Sequence, residues 1–409
     1  VTASHGRVRV VQVVFVVVGL IWVAGLAGCQ TRGGPPIGEI LAANPAKFGG
    51  LTAAPGVFRL QVLLSEVVDD SRGHAKLRRS EYRAGAEYFY PASAIKLCAA
   101  VAAVQSLETI KGMTIDSPLV YHPLFANENI RDRDPSNLDG GVITLGHEIR
   151  KLFLVSDNES FNRLYEFVGH GEINERMHAV GLASVVVNHR LSVGRSAEEN
   201  RRTPQIDIGW PSGGKMVSLP ERTSDLMIRN AEVPGLRVGV GYMAAGQKLN
   251  PEPMDFGTRN GISITDLQDL LVMLARPDID VGKRPLSLAP EHRQFLLDAM
   301  QELPGDSVNP RYDRKEYPDE WGKFFLPGLL RSGVCEKSEL RIMNKVGQAY
   351  GFTMDNAYIV NTRTGRSFFL TAIIYTNADG ILNDDKYEYE SVAFPFMAEV
   401  GEAVVRSMW

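Results

Sequence analysis

The chain has 409 residues, 44% of them apolar and 22% charged, a balance that excludes a disordered or collagen-like polymer and can supply a full hydrophobic core. With 44 Lys and Arg against 48 Asp and Glu, the net charge is −4, which argues against nucleic acid as a partner because neutralising phosphates needs a basic surface. Three cysteines are too few for a disulfide scaffold.

The composition is uneven at the start. Val10 to Ala27 is apolar apart from Gln12 and the glycines, with His5, Arg7 and Arg9 in front and Leu26-Ala27-Gly28-Cys29 behind. A basic region, an apolar region and small residues at the exit are the marks of an export signal. The ending resembles the lipobox of bacterial lipoproteins, in which the signal is cut before the cysteine and that cysteine is lipidated. The resemblance implies a signal peptide over 1–28, lipidation of Cys29 and a linker over 29–50. It also implies a lipid-anchored protein of the cell envelope, facing the periplasm or exterior. An uncleaved anchor helix is the alternative, since about 18 apolar residues is near the lower limit for crossing a bilayer. Export permits a Cys98–Cys335 disulfide, but the apolar run around Cys98 favours a buried thiol.

Further along, Val57–Val67 reads as a strand. The Ala-rich run from Ser93 to Leu107 is apolar on nearly every side and reads as a helix buried at the centre of a domain. Helical periodicity returns at 144–155 and at 159–168, where Phe161, Leu164, Tyr165 and Val168 share a face. The stretch 192–262 is rich in Pro, Gly and Arg, with weak periodicity; its length argues against a structureless loop. Helices follow at 265–275 and 290–300, then strands at 340–346, 352–361 and 367–376 joined by short turns that favour antiparallel hairpins, and a closing amphipathic segment at 391–408. One strand in front, helices in the middle and strands behind predict an α+β fold. Its antiparallel sheet draws on both chain ends (about 51–90 and 335–409), is flanked by helices, and has a mainly helical subdomain (about 91–334) inserted between them.

Ser93-Ala94-Ile95-Lys96 puts a hydroxyl and an amine three residues apart at a helix start, on one helical face. Burial of Lys96 would lower its pKa and make the neutral amine available as a base. The helix start offers free N–H groups to a developing oxyanion. Ser156-Asp157-Asn158 follows an apolar run, and all three residues are good helix N-caps. Lys345-Val346-Gly347, followed by Gln348, sits at the end of a predicted strand, where a strand-to-turn transition is the plain reading.

Together and in this order these elements resemble the Ser-x-x-Lys, Ser-Asp-Asn and Lys-Thr/Ser-Gly motifs of the penicillin-recognising serine hydrolases, class A β-lactamases among them. Ile143-Thr144-Leu145-Gly146, Gly169-His170-Gly171, Met177 to Leu182 and the final helix to Trp409 add to the likeness, which spans about 55–192 and 262–409. The resemblance implies a β-lactamase/transpeptidase-like fold. In it Ser93 is the nucleophile, Lys96 its activator, Ser156 a proton relay to the leaving group and Lys345 a source of positive potential. Asn158, Gly347 and Gln348 would contact the substrate, with the N–H groups of Ser93 and Gln348 as the oxyanion hole. No cofactor or metal is implied. The substrate is a β-lactam or a peptidoglycan-type peptide. A D,D-peptidase-like or other amide or ester hydrolase, and a non-catalytic binding lipoprotein, are the alternatives.

Two departures bear on function. The class A enzymes carry a water-orienting Glu with an Asn four residues later, whereas here the residue four before Asn200 is Ser196. Glu198 and Glu199 are the candidate deacylation bases, with solvated surface acids as the plain reading. Val346 stands where the family has a hydroxyl that helps bind the substrate carboxylate, and Arg341 is a nearby cation. In the segment 251–256, core packing and substrate contact are equally open. Asn377 to Asp385 clusters oxygens suited to calcium, but a capped turn explains them better.

Overall fold

The computed structural model describes residues 33–70, 72–210 and 213–409. The apolar run 10–27 and Cys29 lie outside them. Among the described residues no helix is long and apolar enough to cross a membrane.

Five antiparallel strands form the main sheet: β1 (Gln61–Asp69), β2 (Ala75–Tyr82), β3 (Leu340–Ala349), β4 (Phe352–Asn361) and β5 (Ser367–Tyr375). Their spatial order is β3-β4-β5-β1-β2, so the two ends of the chain meet where β1 pairs with β5, for example Leu64 opposite Leu370. Both faces of β5 are buried, which is why it reads as a continuous apolar run rather than an alternation. Phe368, Leu370, Ala372 and Ile374 point into one cluster, and Phe369 and Ile373 into the other.

On the first face lie α1 (Ile37–Ala42), α2 (Pro45–Ala53) and the last helix, α9 (Phe394–Met408), packed through Ile37, Phe48, Phe396 and Val404. The second face carries the helical part: α3 (Lys96–Glu108), α4 (Leu145–Leu154), α5 (Asn158–Val168), α6 (His170–Ala179), α7 (Ile264–Ala275) and α8 (Pro290–Gln301). Every α3 residue except Glu108 is buried, as its all-round apolar composition requires. A polar bridge ties α7 to the sheet. Gln268 donates to Leu63 O and Thr371 Oγ1, both at 3.0 Å, and accepts from Ser65 Oγ at 2.5 Å. Thr371 in turn donates to Asn356 Oδ1 at 2.7 Å. Because this bridge is satisfied throughout, it costs little to bury and fixes one register of helix on sheet.

Three details differ from the sequence reading. The first strand begins at Gln61, not Val57, because Arg59 turns through a left-handed conformation (φ 41°) and sends its guanidinium to Tyr88 O (2.9 Å) and Gly235 O (2.7 Å). The strand expected to stop at 346 runs on to Ala349, since the reversal is made by Tyr350-Gly351, both at positive φ, the signature of a type I′ hairpin. The stretch 192–262 holds short strands, among them Ile206–Gly209 paired with Met216–Leu219 and Arg237–Val238 paired with Met254–Asp255. The thiols of Cys98 and Cys335 are buried and unbonded, in separate core clusters.

Two glycines in helical segments test the packing. A Cβ on Gly328, in the short helix Leu326–Arg331, would collide with Ala398 O of α9, whereas one on Gly38 of α1 meets nothing within 4 Å. Gly328→Ala should lower the unfolding free energy by about 1–3 kcal/mol, and Gly38→Ala should raise it by about 0.5–1 kcal/mol, both read from urea midpoints.

Candidate active site

The site forms where the helical part meets the sheet edge. Ser93 lies in a single 3₁₀ turn, Ala92–Ile95, leading into α3, and the preceding Ala92 is held at φ 45°, a conformation that costs a non-glycine residue energy and concentrates at functional sites. β3 passes directly over this turn. A Cβ on Gly347 would strike Pro91 O and come within 3.0 Å of Ala94 N, so only glycine lets the strand backbone approach the Ser93 turn this closely.

The Ser-Asp-Asn residues divide their work. Asp157 is the N-cap of α5, its Oδ1 accepting from Ser160 N at 2.7 Å. That frees the neighbours for the cleft. Ser156 adopts φ 58° and accepts a hydrogen bond on Oγ from Lys345 Nζ at 2.8 Å. Lys96 Nζ donates to Ser156 O (2.5 Å), Asp157 O (3.1 Å) and Asn158 Oδ1 (2.7 Å), and lies 3.4 Å from Ser156 Oγ. Asn158 Nδ2 donates to Ser192 Oγ at 2.8 Å. Ser93, Lys96, Ser156, Asn158, Lys345, Gly347 and Gln348 are thus brought to one place from three segments of the chain.

Both lysines are fully buried, and burial is the main reason each titrates below its ordinary range. Lys345 is pushed down to about 7; the Asp355 carboxylate opposes the shift and the Lys323 ammonium adds to it. Lys96 is pushed well down by burial, then by the charge of Lys345, with Asp157 opposing. Behind them Lys323 donates to Met300 O, Ile342 O and Asn344 Oδ1 (2.8, 3.0 and 2.9 Å), and Asn344 Nδ2 donates to Asp355 Oδ1 at 2.8 Å. Burial raises Asp355 to about 6 and lowers Lys323 to about 8. The sequence reading missed Lys323 and Asp355; a Lys amid Trp321, Phe324 and Phe325 was the available signal.

Ser93, Asn158 and Gln348 stand at the waist of a two-part cleft. One hollow of about 600 Å³ is walled by Tyr90, His189, Ser192, Arg259 and Tyr350. The other, of about 900 Å³, is walled by Ser156, Val346, Trp321, Phe324 and Phe394. Glu198 and Glu199 line neither. Glu199 is spent on a capping box: its N–H donates to Ser196 Oγ (3.1 Å) and its Oε2 accepts from Ser196 N (2.7 Å). Glu198 is exposed. Arg341 borders a different hollow and donates to Ser338 O and Leu340 O. Phe256 is wholly buried against Tyr88, Tyr90 and Tyr350, so the 251–256 segment packs into the core there. His189 is neutral near pH 7, burial lowering it to about 4; its Nδ1 is 2.7 Å from Arg190 O and its Nε2 accepts from Asn260 N at 3.3 Å. Asp379 and Asp384 accept from the nearby backbone N–H groups of Ile381 and Lys386, as turn-capping residues do.

Residues 75–228 match the sequence model of the Beta-lactamase enzyme family; that span contains Ser93, Lys96, Ser156 and Asn158 and ends before Lys345. No curated protein sequence gives a significant match. Among solved structures, a β-lactamase from Desulfarculus baarsii is 15% identical with a TM-score of 0.47, covering 89% of this chain and 98% of its own. A β-lactamase from Xanthomonas campestris is 15% identical with a TM-score of 0.48 (91% and 99% covered). A reconstructed class A β-lactamase of the last common ancestor of Gram-negative bacteria is 17% identical with a TM-score of 0.48 (91% and 99%). The fold is β-lactamase/transpeptidase-like, an antiparallel sheet flanked by helices.

The charge coupling of the two lysines is testable. Removing the neighbouring positive charge in Lys345→Met should move the Lys96 pKa upward, read from side-chain ¹³Cε shifts against pH; an unchanged or lower value would contradict the coupling described above.

Proposed function

We propose that the protein is a serine acyl-transfer hydrolase that forms an acyl-enzyme on Ser93 and cleaves β-lactam or related amide bonds. The observation that carries this reading is the pair of buried lysines converging on Ser156 beside Ser93. Burying two ammonium groups this deeply destabilises a fold, and such perturbed amines concentrate where protons are moved.

In this reading Ser93 Oγ attacks the substrate carbonyl and its proton passes to neutral Lys96. The C–N bond then breaks, and Ser156, held by Lys345, delivers the proton to the departing nitrogen. The N–H groups of Ser93 and Gln348 receive the oxyanion, and Asn158 holds the substrate amide. Hydrolysis of the ester by water completes the cycle. Among the described residues the one carboxylate lining the smaller hollow is Asp385, and Ser192 occupies the amide of Asn158. That supports slow deacylation and favours, as a second reading, a peptidase-like enzyme acting on cell-wall peptides. Neither Glu198 nor Glu199 has a part in it.

Incubation with a fluorescent penicillin followed by intact-mass measurement tests the proposal. The expected result is a stoichiometric adduct on Ser93, absent in Ser93→Ala and slowed at least about 100-fold in Lys96→Ala. Wild type and Ser93→Ala behaving alike would refute the β-lactam reading.

We also propose that the chain is an envelope lipoprotein anchored through Cys29, on the strength of the Leu26-Ala27-Gly28-Cys29 sequence. Metabolic labelling with a palmitate analogue should mark the wild type and not Cys29→Ser; an unlabelled wild type removes the anchor.

A further inference from the structure

The two hollows beside Ser93 treat charge differently. Ser156, the group placed to hand a proton to the leaving part, lines only the larger hollow. The leaving part therefore lies there, and the acyl part lies in the smaller one.

Among the described residues lining the leaving side there is no arginine. Val346 offers no side-chain donor, and Trp321, Phe324 and Phe394 make the wall aromatic, with the last two rings 4.9 Å apart. The charged groups at that rim are Glu316, Glu320 and Glu390 against Lys315, with Lys345 behind Ser156.

The acyl side is the reverse. Arg190 on its wall is committed to Glu166 (2.9 Å), which Arg131 also holds (2.7 Å). Arg259 is half-buried on the same wall and takes part in no ion pair among the described residues. Its main chain is anchored. Arg259 O accepts from Asn230 Nδ2 at 3.0 Å. The next residue, fully buried Asn260, accepts on Oδ1 from Asn188 N (2.7 Å) and His189 N (3.0 Å). The guanidinium is close enough for its charge to act on Tyr88, Tyr90 and His189. A guanidinium without an ion-pair partner among the described residues, on a wall otherwise neutral apart from Arg190 and the exposed Asp385, is suited to forked binding of a carboxylate.

We propose that Arg259 binds a carboxylate carried on the acyl part of the substrate, so that acyl donors with an anionic acyl group are favoured over their uncharged counterparts. The proposal rests on the acyl-enzyme reading of Ser93. The acyl bond to Ser93 Oγ forms as the bond to the leaving atom breaks, and Arg259 exchanges no proton or electron in that step. It is a specificity residue.

The test uses a matched pair of chromogenic esters, 4-nitrophenyl phenylacetate and the 4-nitrophenyl monoester of phenylmalonic acid, with Ser93→Ala as the background. The wild type should favour the malonyl ester by about tenfold in kcat/KM. Arg259→Gln should erase that ratio, and Arg259→Lys should restore part of it. A ratio unchanged by Arg259→Gln overturns the proposal. A second arm reads binding without chemistry: calorimetry of Ser93→Ala and of Ser93→Ala/Arg259→Gln with phenylmalonic acid monoamide and with phenylacetamide. A preference for the carboxylated ligand that disappears with Arg259 supports the site, and equal affinities in Ser93→Ala overturn it. Ester hydrolysis that does not depend on Ser93 would instead refute the acyl-enzyme reading, with the binding arm still deciding the role of Arg259.

Discussion

The hydrogen bond from Lys345 Nζ to Ser156 Oγ joins the sheet to the helical part at the point where both border Ser93. Its two residues lie 189 positions apart, so neither end of the chain can form it alone. Everything near the site is arranged to make it: Asp157 takes over capping of α5 so that Ser156 can turn outward, and Gly347 lets β3 lie against the Ser93 turn. The Lys323–Asn344–Asp355 group surrounds the buried base of Lys345 with donors and acceptors that have partners. Removing one member would leave an uncompensated buried charge, which is far more costly than the pair is stabilising. The interaction therefore constrains the architecture and the chemistry together.

That coupling explains why the fold class and much of the site were legible in the chain. Ser93 and Lys96 are one helical turn apart, and α3 is apolar on all sides, so a buried amine beside a hydroxyl follows from periodicity. The β5 run announces a strand covered on both faces. Asp157 illustrates the reverse: three good caps in a row do not say which one caps, and only the turn geometry at Ser156 decides it.

What stayed hidden depends on long-range backbone contacts. Arg59 is stitched to Gly235 O and Asn230 to the carbonyls of Phe256 and Arg259. No local pattern encodes those partners, so the 192–262 stretch read as an excursion although it walls the cleft. Glu198 and Glu199 drew attention as acids in the right region of sequence, yet Ser196 three positions before Glu199 makes a capping box. Lys345 to Gln348 read as a strand end because the I′ reversal at Tyr350-Gly351 has Tyr at its first position, where Asn or Gly is the usual signal.

Asn158 uses both ends of its side chain within the protein: its oxygen accepts from Lys96 and its amide donates to Ser192. A ligand that engages this amide must first evict the Ser192 hydroxyl, itself exposed on a left-handed residue (φ 55°). Affinity for any ligand is then a competition with an internal surrogate. Small or poorly fitting molecules lose that exchange, while a ligand with contacts on both sides of the waist can win it. Selectivity is thus set in part by the resting hydrogen bonds of the empty cleft, before any wall is touched.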